Sequence, residues 1–203
     1  MSQKKYAMSF TTGGLFYSES LLLFELYFQI NDWNEVSIKA FETNILQTRV
    51  ESTAKRVLRE IVSRLKMLKE DEVLLFQNGS SQEQKYLLWL GVCRKYIFIH
   101  DFAAEVIRER YLTLKLDLPS DEFEVFYNAK AEWHVELESL TENTRNKLRT
   151  VLYRMLREAE IIDENNLIMP AILTGELIRT IAKHDANDLA VFPISDSDLQ
   201  RAM

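Results

Sequence analysis

Between residues 54 and 68, Ala54, Val57, Leu58, Ile61, Val62, Leu65 and Leu68 recur as apolar side chains at short, regular spacing. Intervals of three and four place them on one stripe of an α-helix, and such a stripe is stable only when buried against other helices. Little else in the sequence competes with this pattern. There are five glycines and three prolines in 203 residues, and few runs alternate polar with apolar side chains. The expected fold class is mainly α. A content of 47% hydrophobic and 28% charged residues suits a folded globular chain with one core or two small ones.

The segment from Leu15 to Ile30 is apolar on most sides and reads as a core helix. Asp32 with Glu35 forms a capping-box pattern that opens a second helix carrying Val36, Phe41, Ile45 and Leu46, and Thr48 with Glu51 repeats it ahead of the third. QNGSS from Gln77 is a turn. Ser81 with Gln84 then opens a long helix through Tyr86, Leu90 and Tyr96, with a break expected near His100. Around Pro119 the chain should leave helix, because proline disfavours the α region for Leu118, and Ser120 or Asp121 can cap the next helix. This predicts two helical lobes, residues 1–116 and 117–203. The second begins with an acidic helix through Glu124, Glu132, Glu136 and Glu138, then a basic helix. Ile161 and Ile162 next face Leu167, Ile168 and Met169 across a polar turn, a pattern for a small β-hairpin, before a last helix, GELIRTIAKH, and a polar tail. Helix, basic helix, hairpin is also the order of a winged helix-turn-helix.

Several chemistries are not expected. Apolar runs such as LLLF at Leu21 stop well short of the roughly 20 residues needed to span a bilayer. The N-terminal residues are too polar for a secretory signal, so a cytoplasmic location is expected. Cys93 is the only cysteine, in an apolar helical pattern, and reads as a small buried hydrophobe. His100 and Asp101 lack further ligands at metal-binding spacing, Glu132, His134 and Glu136 form a pattern common on exposed helices, and Gly13 and Gly14 lack the lysine of a phosphate-binding loop. No catalytic residue, metal or cofactor is assigned, and an enzyme is not expected.

Charge is distributed unevenly. The chain carries 25 Lys and Arg against 31 Asp and Glu, a net charge of -6. Yet from Thr144 five Lys or Arg residues pass before the first acid, Glu158. With Leu148, Val151, Leu152, Met155, Leu156 and Ala159 on the inner face, Asn146, Lys147, Arg149, Thr150, Tyr153, Arg154 and Arg157 should point outward. A solvated face usually mixes signs at i,i+4, and this one does not. The third helix repeats the theme less strictly, with Arg49, Lys55, Arg56, Arg59, Arg64, Lys66 and Lys69 against Glu51, Glu60 and Glu70. The candidate contacts for duplex phosphates are Arg49, Lys55, Arg56, Arg59, Lys66, Arg145, Asn146, Lys147, Arg149, Tyr153, Arg154 and Arg157, with Asn146 or Tyr153 approaching the groove. The competing reading pairs these cations with the acidic helix inside the fold or with an acidic protein partner.

SFTTGGLFYSESL, KRVLREIVSRLKML, KYLLWLGVCRKYIFIHDFAAEVI and TRNKLRTVLYRMLREAEII form an ordered set over most of the chain. Together they resemble the BrxA family of bacterial BREX (bacteriophage exclusion) systems. The resemblance implies a small cytoplasmic helical protein with a NusB-like fold, encoded beside a phage-defence complex that includes a DNA methyltransferase and ATPases. It also implies association with DNA. No family motif for DNA contact transfers to individual residues, so the contact set rests on charge and periodicity. Double-stranded DNA and other BREX subunits are the expected partners. The alternatives are a protein-interaction adaptor or, by analogy with NusB-like folds, RNA binding. Homo-oligomerisation is left open.

Overall fold

A computed structural model of the chain describes residues 5–202 and is mainly helical. The first helix, α1 (Tyr17–Ile30), is followed by α2 (Trp33–Glu42), where the Asp32 carboxylate accepts from the backbone N–H groups of Asn34 and Glu35 as its spacing predicts. Helix α3 (Glu51–Leu65) begins at the expected place, but Val50 rather than Thr48 is its cap and no side chain closes the first turn. Thr48 instead bonds to Asn44 in the preceding turn. Helix α4 (Glu70–Asn78) has no counterpart in the sequence reading: its nine residues are too few for the apolar period to stand out. Its Glu72 side chain accepts from the Lys69 N–H. Helix α5 (Ser81–Lys95) is capped one residue earlier than expected, by Ser80 with Glu83 in a reciprocal capping box.

The break expected near His100 lies at Tyr96, whose extended backbone separates α5 from α6 (Ile97–Phe102). A π-helical turn over Ala103–Arg108 then runs into α7 (Glu109–Leu112). Residues Asp121–Ala131 form α8, Val135–Glu138 the short α9 and Glu142–Glu158 the basic α10. The β-hairpin is not borne out as a wing. Two isolated antiparallel bridges pair Ile162 with Ile168 and Asp117 with Leu167, so the 116–118 segment and the Asp163 turn hold each other in a small patch that does not extend into strands. The turn spends its hydrogen bonds locally: the Asp163 carboxylate accepts from the N–H groups of Asn165 and Leu167.

After α11 (Gly175–Ala182), the polar tail is not free. A 3-10 turn over Ala186–Val191 buries Leu189 and Val191, and Phe192 and Ile194 continue into the core, ahead of α12 (Asp196–Ala202). The buried indole of Trp89 donates to the Val191 carbonyl at 3.0 Å. One apolar cluster extends from Tyr6 to Ile194, on both sides of residue 116. At its centre lie Trp89, Tyr96, Phe98, Phe102 and Phe123, and Cys93 is fully buried among them.

Candidate nucleic-acid interface

The Thr141 hydroxyl opens α10 by accepting from the Thr144 N–H. Leu148, Val151, Leu152, Met155, Leu156 and Ala159 are buried as the wheel predicts. Tyr153 is buried too, against expectation. Its hydroxyl donates to the Pro119 carbonyl at 2.8 Å, and desolvation pushes its pKa up, so the phenol stays protonated and faces inward. The apolar body of a tyrosine fits a core once its hydroxyl finds a partner, and periodicity alone could not show that Pro119 lies within reach.

The cations of α10 divide into two sets. Arg149 Nη1 lies 2.9 Å from Glu124 Oε1 and Arg145 Nε 3.1 Å from Glu124 Oε2, so one carboxylate of α8 holds both. Arg149 also donates to Asn146 Oδ1 at 3.1 Å, which engages the amide oxygen. Arg157 donates to Asn166 Oδ1 at 2.6 Å, across to the Asp163 turn. Lys147 and Arg154 are exposed and have no ion-pair or hydrogen-bond partner among the described residues. At about 100° per residue, their separation of seven places them on one line of the helix.

On α3, Arg56 and Arg59 are exposed without partners among the described residues, as is Arg49 ahead of the helix. Lys55 pairs with Glu51 at 2.5 Å on the open surface, and Lys66 donates to Asn34 Oδ1 at 3.1 Å. Arg64, buried on the same helix, points elsewhere. It donates to the Gly14 carbonyl at 2.7 Å and pairs with Glu60 at 2.8 Å. The loop it grips has Gly13 and Phe16 in the left-handed region and abuts α10, where Leu15 N–H donates to the Glu158 carboxylate. Arg64 therefore marks the α10 side of α3. Lys55, Arg59 and Lys66 lie about 140–180° round the helix from it, towards α2. Lys55, Arg59 and Lys66 thus share the α2 flank of α3, whereas Arg56 lies about 80° from Arg64, between the two sides.

The remaining candidates from the sequence are structural in their contacts. His100 lies 3.1 Å from Asp101, which also accepts from the Tyr6 hydroxyl, and the Asp101 contact raises the His100 pKa. Buried His134 contacts Glu136 at 3.1 Å and stacks on the Tyr6 ring at 3.9 Å. Among the described residues no group of three His, Cys, Asp or Glu could hold a metal ion, and no helix is long and apolar enough to cross a membrane.

Comparison with known proteins places the chain in a family. The family model for BrxA matches residues 4–185. The chain belongs to the BrxA family. Among BrxA relatives, the "BREX protein BrxA" of Bacillus cereus (strain H3081.97) is 26% identical over 125 residues, which cover 62% of this chain and 62% of that protein. The match thus spans less than two thirds of that relative's length. The crystal structure of an uncharacterized protein from Magnetospirillum magneticum has a TM-score of 0.75 at 18% identity, covering 94% of this BrxA-family chain and 98% of its own. That likeness is one of fold.

Proposed function

We propose that this BrxA-family chain is a DNA-binding component of BREX phage defence, acting without catalysis of its own and alongside other BREX subunits in the cytoplasm. One observation carries the reading. In a chain of net charge -6, Arg49, Arg56 and Arg59 stand exposed without an ion-pair partner among the described residues, and Lys147 with Arg154 repeats this on α10. Guanidinium groups left free in this way suit the bidentate geometry of backbone phosphates. Groove readout is not part of the proposal, because Tyr153 is buried and Asn146 is held by Arg149. Contact is with phosphates, and little sequence preference is expected.

Fluorescence anisotropy with a short labelled duplex tests this on three variants checked for unchanged helicity. Arg56→Glu/Arg59→Glu and Lys147→Glu/Arg154→Glu should each weaken binding roughly tenfold or more, whereas Arg145→Ala/Arg149→Ala should lower stability with less effect on DNA. Equal binding by wild type and both charge-reversed proteins would refute the proposal. A second reading, a protein-interaction adaptor, is favoured by Trp133 and Val135, which are 72% and 76% exposed beside the acidic α9. It predicts that duplex affinity is absent from the wild type.

A further inference from the structure

A cleft of about 440 Å³ separates α2 from α3. Ile38 and Phe41 of α2 and Leu58 and Val62 of α3 supply its apolar surface, and Lys55, Arg59 and Lys66 supply charge. Ile38 is 59% exposed, high for a large aliphatic side chain beside an apolar surface. The Lys55 ammonium sits 4.9 Å from the centroid of the Phe41 ring, joining the two kinds of surface. Among the described residues no acidic side chain lines the cleft. The cations run along one flank of α3 at intervals of four and seven, over about 16 Å of axis at about 1.5 Å per residue.

We infer that this cleft receives an amphipathic helix from a protein partner, with apolar side chains entering between α2 and α3 and carboxylates meeting Lys55, Arg59 and Lys66. Three features select that occupant. The row of cations matches carboxylates spaced at turns of a parallel or antiparallel helix, which is the geometry of helix-in-groove recognition. The open apolar surface has no use in a phosphate-backbone contact. The pairings of Lys55 with Glu51 and of Lys66 with Asn34 are exposed, so a partner's acids can replace them. The inference is independent of the DNA reading, although Arg59 would serve both, so peptide and duplex should compete.

The test uses the full chain and a fluorescein-labelled synthetic helix of about 14 residues, four helical turns, with leucines on one face and glutamates beside them. A control peptide has the same composition scrambled off the helical period. The amphipathic peptide should bind roughly fivefold or more tightly than the control. Ile38→Gln should weaken the peptide by a similar factor while leaving duplex affinity unchanged, and Lys55→Glu/Lys66→Glu should abolish the preference. Circular dichroism confirms that each variant is folded. Equal binding of both peptides would reduce the cleft to a general cationic surface and overturn the inference. Unaltered peptide binding by Ile38→Gln overturns it as well. If the peptide fails to bind and Ile38→Gln weakens the duplex, the surface belongs to nucleic acid.

Discussion

Arg94 gathers the buried Glu72 and Asp188 into one charged site. Its Nη atoms donate to both oxygens of Glu72, at 2.5 and 2.7 Å, its Nε donates to Asp188 at 2.8 Å, and Nη1 also reaches the Met67 carbonyl. Glu72 has no solvent exposure. A buried carboxylate is tolerable here because its bidentate partner and the Lys69 N–H saturate it. Arg94→Met should leave that charge uncompensated and reduce stability by about 3–5 kcal/mol, measured by urea denaturation. At Asp71 the opposite balance gives a pH dependence. Burial favours the protonated acid, but hydrogen bonds from Lys183 and His184 outweigh it and bring its pKa from 3.8 down to about 2. Because the folded value lies below the unfolded one, the contribution is present above about pH 4 and is lost as pH falls towards 2. Urea midpoints for Asp71→Asn should therefore lie below those of wild type near neutrality and converge with them between pH 4 and 2.

Helices α3 and α5 cross with Gly91 at the contact. A Cβ there would sit 2.9 Å from the Arg64 carbonyl, too close for a backbone oxygen that cannot swing aside. Gly91→Ala gains up to about 1 kcal/mol of helix propensity, yet overpacking typically costs about 1–3 kcal/mol. The net effect should be a loss of up to about 2 kcal/mol and a lower melting temperature by calorimetry. The sequence states little of this, since an isolated glycine in a helical pattern does not name its neighbour. What it does state is periodicity. The cores of α3 and α10 were legible because long amphipathic stripes have few other interpretations. Helix α4 was not legible, nor was the burial of Tyr153, because each depends on a surface brought from elsewhere in the chain. The cap at Asp32 could be read because it is local, whereas Thr48 found a better partner in Asn44.

For the molecule as a whole, net charge is a poor guide to partners. Fields are screened beyond a Debye length of about 8 Å, so unpaired arginines on α3 act locally despite the overall -6. The slope of log affinity against log salt should shrink by roughly one for each phosphate-contacting cation removed, and removal of Arg145 or Arg149 should leave it nearly unchanged. The even run of cations on α10 was visible in the sequence. Its division into paired and free sets was not, because Glu124 lies 25 residues from Arg149 and only the packing of α8 brings it there.

The segment from Tyr6 to Leu15 also bears on how the chain is made. Its N–H groups reach Glu136 and Glu158, 130 and 143 residues further along. During synthesis this segment is available long before the carboxylates that hold it, and closing such separations is slow. Residues 5–16 are also packed on the middle of the chain, where Phe10 meets Tyr96 and Phe98 and the Tyr6 hydroxyl donates to Asp101, and Phe10 and Leu15 are both buried in the finished fold. This short strap ties the beginning of the described chain to its far end, and contacts of such separation raise the contact order, which favours slower folding.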